Sequence, residues 1–348
     1  MMTSCVQPAP EESQPEETAA PAQLEVGVVL DVGGLGDESF NDAAHAGLKR
    51  AEEEFQGRIV TKCLEPSDKG DDRKELMRRL AEEGFDLVFG VGFAFTDAVE
   101  QLSEAFPDCH FALIDGFVPG LDESSNVICL LFKEHEGSFL VGAAAGLITK
   151  TDKVGFVGGM SIPLIEKWEA GYMAGVYYVN PTCEVLSDYV GSTPEAFSNP
   201  QRAKELALRQ FDAGVDVIYH AAGASGKGVI EAAAERKLLA IGADSDQTLT
   251  AEEPQRPYIL TSMVKRVDVA VYETIRAFLE GQFRGGYFVL GLAEEGVDYA
   301  ENPWNETLIG PIKPMLEELK RQIIEGKIVV PVNKEELEQF KASLRRDR

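Results

Sequence analysis

Leu24-Glu-Val-Gly-Val-Val-Leu30, followed by Asp31-Val-Gly-Gly-Leu-Gly-Asp-Glu-Ser-Phe-Asn-Asp42, is an apolar strand running into a glycine-rich loop that opens a helix. A strand–loop–helix unit of this kind starts a doubly wound α/β sheet, in which ligands bind beyond the carboxyl ends of the strands. Gly33, Gly34 and Gly36 permit close backbone approach, but Ser39 stands where a dinucleotide fingerprint needs another glycine. Asp37 and Glu38 also put negative charge where a pyrophosphate would lie, so a neutral, hydroxyl-rich ligand suits the loop better. Helix capping is the simplest role for Asp37 or Ser39. Phe40 and Asn41 offer an aromatic face beside an amide, the combination that stacks on a planar heterocycle and reads its edge.

Outward from this unit, strand-like and helix-like segments alternate through two similar series, which predicts two doubly wound lobes. The first series has strands near Leu24–Leu30, Arg58–Leu64, Asp86–Val91, Cys109–Ile114 and Val127–Leu131, with helices near Phe40–Phe55, Asp72–Glu83 and Phe95–Phe106. The second has strands near Lys153–Val157, Glu184–Val190, Asp216–Ala221, Leu238–Ile241 and Tyr258–Leu260, with helices near Glu134–Lys150, Leu164–Val179, Pro200–Ala213 and Lys227–Glu235. Helices at Val267–Leu279 and Pro314–Ile324 have no sheet of their own, so the chain must cross between lobes more than once.

The strand ends carry ligand-type side chains: Asp31, then Phe40 and Asn41; Asp115; Gly159 and Met160, with Trp168 farther on; Gly223; Asp244; and Lys265. One strand-end aspartate is ordinarily a cap or turn former. Asp31, Asp115 and Asp244 on separate loops around one cleft instead suit vicinal hydroxyls, each carboxylate accepting two hydrogen bonds. Lys265 either neutralises one of them or forms an exposed ion pair of little consequence. Trp168 facing Phe40 would sandwich a base, with Phe197 as an alternative partner and core packing as the competing role. Gly223-Ala-Ser-Gly-Lys-Gly228 contains Gly-Lys, yet Ala221 and Gly228 break the phosphate-loop pattern and leave a tight turn into a helix. Asp246 near Asp244 reads as turn chemistry rather than a cation site. His45, His110, His135 and His220 show neither metal-ligand spacing nor a nucleophile partner, and only His220 is expected near the cleft. No catalysis, metal or cofactor is expected.

The formal charge of −26, from 33 basic and 59 acidic residues, repels nucleic acid, and the basic Arg345-Arg346-Asp347-Arg348 reads as a solvated end. The five cysteines are irregularly spaced; Cys63, Cys109 and Cys129 fall in or beside apolar runs as small hydrophobes. Met2-Thr-Ser-Cys5 resembles the processed end of a bacterial lipoprotein signal, with Cys5 as the lipidated residue and the Pro/Glu-rich 6–23 as an extended tether.

Together the segments Leu30–Asn41, Ala112–Gly116, Gly155–Met160, Ala221–Val229 and Ile241–Gln247 resemble the basic membrane protein family of bacterial substrate-binding lipoproteins. The resemblance runs from about Leu24 to about Pro331. It implies a type I periplasmic-binding fold, two Rossmann-like lobes joined by a three-segment hinge, serving an ABC importer. Lobe boundaries are then expected at 24–132 plus about 262–284, and 133–261 plus about 285–348. The family includes purine nucleoside receptors, and Asp31, Phe40, Asn41, Asp115, Asp244 and Lys265 match their binding positions. Trp168 stands where the family usually has Phe, and Gly191–Phe197 is longer than usual. The resemblance implies an extracytoplasmic, lipid-anchored receptor for guanosine, inosine or adenosine that delivers it to an ABC permease. Other readings are a sensing receptor of the same fold for riboflavin or a sugar, and a nucleoside-cleaving hydrolase.

Overall fold

The structure, a computed structural model, describes residues 23–345. Cys5, nearly all of the tether and the basic end at 346–348 lie outside the described residues. The first series forms strands β1 (Leu24–Val29), β2 (Ile59–Leu64), β3 (Leu87–Val91), β4 (His110–Ile114) and β5 (Val127–Phe132). Helices α1 (Phe40–Glu54), α2 (Arg73–Glu82) and α3 (Thr96–Ala105) lie between them. The second series forms β6 (Lys153–Met160), β7 (Glu184–Gly191), β8 (Val217–Ala221), β9 (Leu239–Asp244) and β10 (Ile259–Lys265). Its helices are α4 (Glu134–Ile148), α5 (Pro163–Val179), α6 (Pro200–Asp212), α7 (Gly226–Arg236) and the short α8 (Gln247–Thr250). The chain closes with α9 (Val267–Leu279), β11 (Gly286–Leu290), β12 (Val297–Tyr299), α10 (Glu306–Ile309), α11 (Lys313–Ile324) and α12 (Lys334–Leu344).

Two six-stranded sheets result, ordered β11-β5-β4-β3-β1-β2 and β12-β10-β9-β8-β6-β7. All pairings are parallel except β10 with β12. Central strands β3 and β8 are buried at every residue, because helices cover both faces of a parallel sheet and leave no polar alternation. In each sheet the strand order reverses beside the first strand of its series, β1 or β6, which opens a crevice at the carboxyl ends.

The chain passes between the sheets three times: from β5 into α4, from β10 into α9, and from β11 to β12. Helices α4 and α5 pack closely because glycines line their contact. A Cβ on Gly142 would lie 2.1 Å from the Tyr172 carbonyl oxygen, and one on Gly175 would lie 2.0 Å from that of Phe139. This is the type I periplasmic-binding-protein fold.

Two expected lobe boundaries move. Ile259–Lys265, which the expectation divided at residue 262, lies wholly in the second sheet, and Gly286–Leu290, expected in the second lobe, pairs with β5 in the first. The edge strand β11 is buried only at its ends, so no apolar alternation marks it. No helix among the described residues is long and apolar enough to cross a membrane.

Candidate functional site

The loop after β1 is organised by Asp37. Its carboxylate accepts hydrogen bonds from the backbone N–H groups of Ser39 (2.9 Å), Asn41 (2.8 Å) and Asp42 (3.1 Å) and from Asn41 Nδ2 (3.0 Å). The amides that would greet a phosphate at the head of α1 are thus occupied by a built-in carboxylate. Asn41 also accepts the Asp31 N–H through Oδ1 at 2.8 Å, so it braces the loop while lining the cleft. Ser39 caps nothing. Its hydroxyl crosses to the other lobe and donates to Asp244 Oδ2 at 2.5 Å.

Asp31 is held by Arg73, which donates from Nε at 2.7 Å and also from Nη2, while Nη1 is fixed by the Gly70 carbonyl at 2.8 Å. Burial nevertheless raises the Asp31 carboxyl above the ordinary aspartate value, against the pull of Arg73. Gly92 is required here: its φ is +123°, and a Cβ would lie 2.7 Å from Asp31 Oδ2.

Lys265, 1 % exposed at the end of β10, is the electrostatic centre. Its ammonium lies 2.5 Å from Asp115 Oδ2 and 2.9 Å from Glu134 Oε1, and Lys167 grips the other oxygen of Glu134. Burial disfavours the ammonium, but Asp115, Glu134 and Asp244 outweigh it and raise the lysine. Burial likewise works to raise Glu134, and Lys265 and Lys167 overcome it and keep that carboxyl low. Asp115 goes the other way, raised by burial and by its neighbour Glu134 despite Lys265. Burial pushes Asp244 up to about 7, against Lys265 and the Ser39 hydroxyl. The Lys265 charge also sits 5.1 Å from the Phe40 ring and 5.6 Å from the Trp168 ring.

The cleft holds about 690 Å³ of empty space, part of it open solvent. Asp31, Phe40, Asn41, Asp115, Trp168, Gly223, Asp244 and Lys265 all line it. Gly159 and Met160 do not. Gly159 gives room to Phe197, whose ring a Cβ would meet at 2.3 Å, and Met160 packs into the core of the second lobe. Sequence reasoning missed Phe93, which follows β3 and meets Phe197 edge-on across the cleft at 6.4 Å and 63°. The strand-end rule that found the other loops applied equally to this one. Arg73, Lys167 and Glu134 were also missed, and neither helix spacing nor local sequence marks them.

Two buried polar atoms on the lining residues lack hydrogen-bond partners, Asp115 Oδ1 and Trp168 Nε1. One is an acceptor and the other a donor. Trp168 is 3 % exposed and stacks on Tyr219 at 6.2 Å, so it belongs to both core and cleft. His220 proves structural: it is fully buried, bonded to Gln247 Oε1 at 2.8 Å, and lowered by burial to about 4. Asp246 caps α8 and is held by Asn302 Nδ2 at 2.8 Å, which is turn chemistry. Among the described residues no cluster of His, Cys, Asp or Glu is arranged to hold a metal.

Comparison with known proteins agrees with this architecture. The family model for PnrA-like ABC transporter substrate-binding proteins matches residues 24–334. The chain is 34% identical over 322 residues to the CD4+ T-cell-stimulating antigen of Listeria monocytogenes, covering 88% of this chain and 87% of that one. It is 31% identical over 319 residues to basic membrane protein A of Borreliella afzelii, covering 90% and 94%. The crystal structure of an ABC transporter solute-binding protein from Aeropyrum pernix superimposes with a TM-score of 0.80 at 30% identity, covering 93% of this chain and 98% of the other. The two lobes, the three crossings and the cleft between them are those of a solute receptor, and this chain belongs to the PnrA-like family of ABC transporter substrate-binding proteins.

Proposed function

We propose that the protein is an extracytoplasmic receptor for a neutral nucleoside, with purines such as guanosine, inosine or adenosine preferred, and that it hands this ligand unaltered to an ABC permease. The observation that carries the reading is the composition of the cleft. Carboxylates Asp31, Asp115 and Asp244 converge with Phe40, Phe93, Trp168 and Phe197 around it. Aromatic faces bind a base by stacking, and carboxylates bind ribose hydroxyls and base N–H groups. A phosphate finds no support, because Asp37 already takes the helix-head amides and the cleft carries several acids. Relatives from Pyrococcus abyssi and Pyrococcus furiosus that are named lipoproteins, and the Met2-Thr-Ser-Cys5 motif, support anchoring through a lipid on Cys5, with the Pro/Glu-rich segment as spacer.

Protein unfolded and refolded to remove carried-over ligand should give binding heat in isothermal titration with a purine nucleoside and leave that nucleoside chemically intact. Heat with riboflavin or a sugar alone would replace the ligand class. Loss of the glycosidic bond would replace the receptor reading with a hydrolase. Asp244→Ala should weaken nucleoside more than free-base binding if this carboxylate holds the ribose; equal losses would remove that assignment.

A further inference from the structure

The lysine that mimics a phosphate loop has a different partner. Lys227, the second residue of α7 in the second lobe, reaches across to the first lobe. Its Nζ donates to the Gly36 carbonyl at 2.5 Å and lies 3.1 Å from Glu38 Oε1. A cation in the first turn of a helix opposes the helix dipole, and α7 has no acidic residue there to balance it. The balancing carboxylate comes from the other lobe. Glu38 adopts a left-handed backbone, φ 57°.

The receiving segment is built to be gripped. Asp42, in the first turn of α1, accepts the N–H of Gly36 through Oδ1 and that of Glu38 through Oδ2, both at 2.8 Å. One lobe therefore holds the amides of these two residues while the other holds the Gly36 carbonyl and the Glu38 carboxylate. Nearby, Gln247 Nε2 donates to the Glu38 carbonyl at 3.2 Å and Ser245 Oγ to the Ser39 carbonyl at 3.2 Å. Neither Lys227 nor Glu38 lines the cleft.

We propose that Lys227 is an interlobe clasp, which by gripping Gly36 and Glu38 outside the cleft sets how readily the two lobes close. A contact made only when the lobes meet raises the closed fraction, and apparent affinity scales with that fraction. Lys227 and Glu38 are each 31% exposed, so the clasp weakens with added salt. The affinity readout rests on the nucleoside reading above, whereas the closure readout does not.

The test compares wild type, Lys227→Gln, Glu38→Gln and the double variant after ligand removal, by small-angle scattering and by titration with guanosine. The clasp requires a larger radius of gyration for Lys227→Gln without nucleoside, a guanosine affinity reduced roughly three- to tenfold, and a double variant no worse than Lys227→Gln. Raising salt should expand the wild type and leave Lys227→Gln unchanged. Unchanged radius in all variants and at all salt concentrations overturns the proposal, as do additive losses in the double variant. If the radius changes but no form binds guanosine, the clasp stands and the nucleoside reading falls.

Discussion

Asp115 and Asp244 occupy matching places in the two lobes: Asp115 directly follows β4 and Asp244 is the last residue of β9, the fourth strands of their series, and each has a left-handed backbone, with φ of 63° and 64°. Most L-residues pay roughly 1–2 kcal/mol for that conformation, and aspartate is among the few that visit it routinely. The repeated geometry puts both residues on the wall of the cleft, one from each lobe. It also exposes a duplication that is faint in sequence: β3 and β8 each run into a single 3-10 turn and then a helix, α3 or α7.

Lys265→Met should lower stability by about 3–5 kcal/mol, because it leaves Asp115 and Glu134 buried without their shared cation. Urea unfolding of the ligand-depleted protein measures the loss. Adding Asp115→Asn and Glu134→Gln should restore part of it, since the uncompensated charges then disappear. An unchanged midpoint for the single variant would show that the triad contributes little.

The Asp244 carboxyl is raised from 3.8 to about 7, chiefly by burial. An acid that binds its proton more tightly in the folded than in the unfolded state makes stability fall as pH rises between those two values. The penalty is absent below the unfolded value and complete above the folded one. Asp244→Asn should therefore lose stability less steeply than wild type between about pH 4 and about pH 7, measured by urea unfolding across that range. Parallel profiles for the two proteins would place the titration elsewhere among the raised acids Asp31, Asp37 and Asp115.

The chain has two tryptophans, Trp168 buried at the cleft and Trp304 half exposed beneath the Arg256 guanidinium at 5.2 Å. Purine nucleoside binding should change the emission of Trp168 alone. Trp168→Phe should abolish the ligand-induced change, and Trp304→Phe should preserve it. The same signal surviving in Trp168→Phe would move the ligand away from that ring.

Much of this is legible in the sequence. Alternating apolar strands and amphipathic helices reveal the α/β class, and the rule of carboxyl ends leads to Asp31, Phe40, Asp115, Gly223 and Asp244 because parallel sheets aim every loop of one end at the same crevice. Two strand ends are less legible: β9 and β10 run on to Asp244 and Lys265, so that polar residues complete strands that apolar patterning would stop earlier. The edge strands β11 and β12 escaped altogether, being short and paired to strands far away in the chain.

From sequence alone came the architecture, the cleft and about half of its wall, since periodicity and loop chemistry are local properties that the chain carries wherever it folds. Only the tertiary structure decided who partners whom. Arg73 meets Asp31 from 42 residues away within the first lobe and Lys265 meets Asp115 from 150 residues away across the two lobes, because tertiary packing brings together charges whose separation along the chain says nothing of their distance in space. Burial then decides their protonation, raising Asp244 while Lys265 and Lys167 hold Glu134 low, and burial exists only once the fold has closed around them.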